Sequence, residues 1–118
     1  MRRAFKMPTP ASNSQPPLFA SPDAIAGHFC LTGVVGFATA RQLLADGEQL
    51  FAGMKDVQVD MSQVTASDSA GLALLLAWLA YASKHGSCLT FVNIPEQMRA
   101  MARISDVEDL LGATPGTL

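Results

Sequence analysis

Asp68 and Ser69 stand side by side in the run Ser67-Asp68-Ser69-Ala70-Gly71, where a carboxylate next to a hydroxyl resembles a base and its nucleophile. The same pair at a helix start more often makes a cap, because short oxygen-bearing side chains accept hydrogen bonds from the free N–H groups there. Capping or recognition is therefore expected, and catalysis is not. No G-x-x-x-x-G-K phosphate loop and no G-x-S-x-G elbow occurs in the chain. Cys30 and Cys88 form no CxxC pair and have no clustered histidines for zinc, so buried, reduced thiols are expected. His28 falls on the polar side of a strand pattern, with no nucleophile or carboxylate that the sequence sets beside it, and His85 precedes a helix-stopping glycine. The expectation is a protein that is not an enzyme and takes no metal and no cofactor.

The element positioning Asp68 runs from Asp56 to Gly86. In Val57-Gln58-Val59-Asp60-Met61 apolar residues alternate with polar ones, the period of a strand covered on one face. Ser62, Thr65, Ser67, Asp68 and Ser69 follow as small hydrogen-bonding residues, and the helix is expected to begin near Asp68. From Gly71 to Ser83 nothing breaks a helix. Leu72, Leu75, Leu76 and Leu79 form one apolar stripe, the core side. Leu74, Trp78 and Tyr81 form a second stripe on roughly the opposite side, continued by Ala70 and Ala77. Two readings of it stand: flanking helices hide it, or it is a partner surface anchored by its aromatics.

Around this unit the spacing predicts strands at Leu18–Ser21, His28–Val34 and Cys88–Val92. A helix is predicted over Phe37–Met54, with Phe37, Ala40, Leu43, Leu44, Leu50 and Phe51 on its apolar side and Gly47 as a weak point. Pro95 opens a further helix, and Ser105-x-x-Glu108 reads as a capping box for a short last one. Residues 1–17 and 113–118 are expected to be tails, and 18–112 the single domain. Strands alternating with helices predict an α/β fold. Its mixed sheet of about four strands has an antiparallel first strand and helices mainly on one face.

With 49% hydrophobic and 15% charged residues, the chain is more apolar than an ordinary small domain, which argues that apolar surface meets a partner. A net charge of -2 and the lack of any long Lys/Arg run exclude nucleic acid as the main partner. Pro8 and Pro10 interrupt the N-terminal stretch before a signal peptide can form, and Leu72–Ala82 is too short to span a bilayer. A cytoplasmic protein is expected.

A hydrophobic strand, then D-S-x-G at a helix start, then a leucine-rich helix resembles the STAS domain family, over roughly Leu18 to Leu111, with the recognisable motif in Asp56–Pro95. In the anti-sigma-factor-antagonist branch the residue before the glycine is the phosphoacceptor, and here that position is Ala70. The string Asp68-Ser69-Ala70-Gly71 followed by leucines is more similar to the MlaB branch, the STAS subunit of Mla phospholipid-trafficking ABC transporters. That resemblance implies a subunit peripheral to the inner membrane that binds and stabilises or activates an MlaF-like ATPase, itself in complex with a membrane permease. It places the functional hydroxyl at Ser69, and together with the second apolar stripe this puts the expected partner contact at Asp68, Ser69, Ala70 and Gly71 and, along the helix, at Leu74, Trp78 and Tyr81. The alternative is an anti-sigma-factor antagonist in which Ser69 becomes the phosphoacceptor, one place early on the helix.

Overall fold

Each strand of the sheet pairs with its neighbour in sequence. A computed structural model describes residues 16–111. In chain order these form β1 (Leu18–Ala20), β2 (His28–Val35), α1 (Ala40–Phe51), β3 (Asp56–Ser67), α2 (Ser69–Lys84), β4 (Cys88–Val92), α3 (Glu96–Ile104) and a 3₁₀ turn, Glu108–Leu111. The sheet order is β1-β2-β3-β4; β1 is antiparallel to β2, whereas β2, β3 and β4 run parallel. Of the expected tails, residues 1–15 and 113–118 lie outside the described residues, as does 112, expected to end the domain. Pro17, expected in the tail, is tied to the sheet, its carbonyl accepting the Thr32 N–H at 2.8 Å.

The one-sided alternation read from the strands is what makes the core. Phe29, Leu31 and Val35 of β2, Val57, Val59 and Met61 of β3, and Phe91 of β4 are buried on one face. Leu43 and Phe51 of α1, Leu72, Leu74, Leu75 and Trp78 of α2, and Met98 and Ala102 of α3 join them in one cluster. An aromatic chain crosses this core. Phe29 meets Phe51 edge-on at 5.4 Å, Phe51 meets Trp78 edge-on at 5.4 Å, and Trp78 stacks on Phe91 at 6.5 Å. Offset and edge-on rings favour such contacts beyond the area they bury.

Several boundaries differ from the sequence expectation, each for a local reason. β3 continues through Ser62–Ser67, so Ser62 and Thr65 are strand residues and not loop. Irregularities in the β2–β3 ladder at Cys30/Thr32 and Gly33/Val34 shift which residues face inward there. Such bulges destroy the period-two signal that marks a strand. α1 starts at Ala40, three residues later than expected. Thr39 Oγ1 donates to Val34 O at 3.0 Å and accepts the Gly36 N–H at 3.0 Å, closing a turn before the helix. Gly47, expected to weaken α1, is where α2 comes closest, because a Cβ there would overlap the Trp78 indole. Ser105 is the C-cap of α3 rather than the start of a capping box. Glu108 instead faces Arg99 at 3.6 Å and Arg103 at 3.7 Å.

Candidate functional site

Asp68 ends β3 in extended conformation and caps α2. Its Oδ1 accepts the Ala70 N–H at 2.8 Å and the Gly71 N–H at 3.2 Å. Its Oδ2 reaches across to the loop after β2 and accepts the Phe37 N–H at 3.1 Å. One carboxylate therefore joins the start of α2 to the β2–α1 loop. The Phe37 amide foremost, then the Gly71 and Ala70 amides, hold its pKa below the ordinary 3.8, against desolvation acting the other way. These bonds use both oxygens, which suits a structural clamp and not a general base.

The pH consequence follows from the sign of that shift. A carboxyl with a depressed folded pKa stabilises the fold above its unfolded value and loses that contribution as pH falls through the folded one. Asp68→Asn is therefore expected to lower stability at pH 7 and to flatten the stability profile below pH 3.8. Urea titrations of both proteins between pH 2.5 and 7 check this; parallel profiles would refute the clamp.

Gly71 explains the glycine of the motif. It is buried, and a Cβ would strike Val35 O and come within 3.3 Å of Met98 Cε. Only glycine lets the first turn of α2 lie this close to β2. Ser69, at the first position of α2, is exposed, and Ala70 is half-buried. The structure thus brings Asp68, Ser69, Ala70 and Gly71 together, with Ser69 facing solvent.

Leu74 and Trp78 do not join them as a surface, and the partner-stripe reading is corrected for these two, while Tyr81 is half-buried. Trp78 has 0% exposure and Leu74 3%. Trp78 Nε1 donates to Leu44 O at 3.4 Å and Tyr81 Oη to Glu48 O at 3.2 Å, both acceptors on α1. The flanking helix hides this stripe. The outward side of α2 carries Ser69, Ala73 and Ala80, all exposed, with Leu76 and Ala77 half-buried between them. Leu76, assigned to the core by its spacing, is half-buried and packs against the core cluster at the edge of that outer side.

Phe37 too differs from its expected place. Assigned to the apolar side of a helix, it sits before α1 with 87% of its surface exposed. The signal was Gly36 followed three places later by Thr39, a turn-and-cap pattern at the head of the helix.

His28 does acquire a carboxylate neighbour. Its Nδ1 donates to Asp23 Oδ2 at 2.9 Å, which ties the start of β2 to the β1–β2 connection. Among the described residues no three His, Cys, Asp or Glu side chains are grouped to hold a metal, and no helix is long and apolar enough to cross a membrane. Cys30 is buried as expected, but Cys88 is exposed, since at the start of β4 it shares the face of Thr90, opposite the buried Phe91. A thiol reagent is expected to modify one cysteine quickly in the folded protein, Cys88, and Cys30 only after denaturation. Equal rates at both would contradict the burial.

A polar strand-end cap, a glycine pressed on the neighbouring strand and an apolar helix make up the geometry, and a family model described as "Mlab, STAS domain" matches residues 22–112. The chain belongs to the STAS family. No curated protein matches this STAS domain at the same level of significance. Among solved structures, a sulfate transporter family protein from Wolinella succinogenes is 17% identical with a TM-score of 0.61, over 74% of this chain and 71% of that one. The anti-sigma factor antagonist SpoIIAA in its unphosphorylated form is 13% identical with a TM-score of 0.58, over 77% and 89%. A structure described as Mglu is 23% identical with a TM-score of 0.51, over 59% of this chain but 17% of its own. At these identities the likenesses show the STAS fold alone.

Proposed function

We propose that this STAS domain is a non-enzymatic accessory subunit that binds the ATPase of an Mla-type, phospholipid-transporting ABC transporter on the cytoplasmic side of the inner membrane, and stabilises or activates it. The observation that carries the reading is the outward side of α2. Behind the exposed Ser69, Ala73 and Ala80 are exposed with Leu76 and Ala77 between them, and no charged side chain interrupts the strip before Lys84. A solvated helix face is ordinarily polar, whereas small apolar residues let another surface approach closely. The family description, with its Mlab label, supports a transporter subunit over other roles.

The second reading is an anti-sigma-factor antagonist switched by phosphorylation. It is favoured by the exposed hydroxyl of Ser69 and opposed by Ala70 at the usual acceptor position. The test is co-expression with the Mla-type ATPase of the same genome. Co-purification is expected, and Ala77→Arg, which sets a charge on the strip, is expected to abolish it with little change in stability. Failure of the wild-type protein to co-purify, together with stoichiometric phosphoserine at Ser69 in protein from cells, would favour the second reading.

A further inference from the structure

We infer that Phe37 is the anchor of this docking surface, an aromatic side chain that the STAS domain inserts into an uncharged apolar pocket of its protein partner; the inference rests on the docking reading above. At 87% exposure Phe37 is the most exposed of the large apolar residues described, and Val34, three residues earlier, is 55% exposed. A ring left in water forgoes the burial that a core position would give it. Phe37 is nevertheless held firmly. Its N–H is bound by Asp68 Oδ2 at 3.1 Å, a Cβ on the preceding Gly36 would meet that same carboxylate at 2.7 Å, and Thr39 closes the turn on its other side. The ring is therefore presented from a braced backbone, and binding it orders little further chain.

The same carboxylate caps α2, so Phe37 and Ser69 are carried on one clamp and belong to one surface. The chemistry around the ring selects the partner. Val34, Gly36, Ala38 and Thr39 carry no charge, and the Asp68 oxygens are already engaged by three amides. The pocket that takes the ring is consequently apolar, while the negative charge that Asp68 keeps beside it disfavours an anionic surface. Arg41 alone is too little to hold an anionic bilayer. Since the ring projects outward, the concavity must be the partner's, and an aromatic in a desolvated pocket is the commonest form of a binding hot spot.

The experiment measures the dissociation constant between the full chain and the Mla-type ATPase for wild type, Phe37→Ala, Phe37→Leu, Ala77→Arg and Leu110→Ala, with the melting temperature of each. Phe37→Ala is expected to bind roughly 30-fold more weakly at an unchanged melting temperature, with Phe37→Leu recovering most of the loss. Leu110→Ala, another exposed apolar residue, is expected to bind as wild type. Normal binding by Phe37→Ala while Ala77→Arg fails would remove the anchor and leave the docking reading standing. No binding by the wild type would remove both. Phe37-dependent binding to phosphatidylglycerol vesicles, or a self-association broken by Phe37→Ala in sedimentation, would overturn the inference in favour of a membrane or a second copy.

Discussion

Trp78→Ala is expected to lower folding stability by about 3–5 kcal/mol, the range for deleting a large ring from a packed core. The indole has no exposed surface. It lies between Phe51 of α1 and Phe91 of β4, so its loss leaves a cavity at the point where both helices meet the sheet. The neighbourhood cannot collapse easily, because Gly47 already brings the α1 backbone against the ring. Guanidinium denaturation followed by circular dichroism reads the effect. A loss below about 1 kcal/mol, accompanied by loss of partner binding, would restore the surface reading of this stripe. Gly47→Ala serves as a companion, expected to destabilise the wild type and to be better tolerated where Trp78 has been removed.

Gly71→Ala is expected to be the most damaging single methyl in the motif, at about 3 kcal/mol, the upper end of ordinary overpacking. The added Cβ meets the carbonyl of Val35 and not a movable side chain. Relief requires the first turn of α2 to lift from β2. Lifting it strains the Asp68 bond to Phe37, whose two ends sit on the separating elements. Partner binding is thus expected to fall along with stability, whereas Ala73→Gly on the exposed side is expected to change stability by about 1 kcal/mol or less and binding little. Wild-type stability in Gly71→Ala would show that the close approach is not required.

The strand-to-helix unit around Asp68 was legible because two periods meet there, two residues in Val57–Met61 and 3.6 in the leucine helix, with a capping aspartate between them. The one-faced covering followed from the same alternation, and the antiparallel first strand from the turn residues between β1 and β2. The sides of α2 were not legible. With apolar residues nearly all round, Leu76 and Trp78 carry equivalent signals, and only the arrival of α1, admitted by Gly47, decides which is inside. Phe37 was misplaced for a related reason. Its spacing to Ala40 and Leu44 fits a helix, and the turn that expels it depends on Thr39 bonding backward to Val34 and Gly36. Cys88 read as buried because it opens an apolar run, although the alternation of that run sets it with Thr90, away from Leu89 and Phe91.

β3 outruns β4. The last register between them pairs Asp60 with Val92, whereas β3 continues with β2 alone to Ser67. Seven further residues, Met61 to Ser67, at roughly 3.3 Å each carry the chain about 23 Å along β2 past the end of β4. Ser69 and Phe37 consequently follow a two-stranded end of the sheet, one face of which α2 and Met98 of α3 cover. Beyond Asp60 no described strand pairs with that side of β3, so a row of its backbone groups has no strand partner, the feature that strand addition by another chain uses.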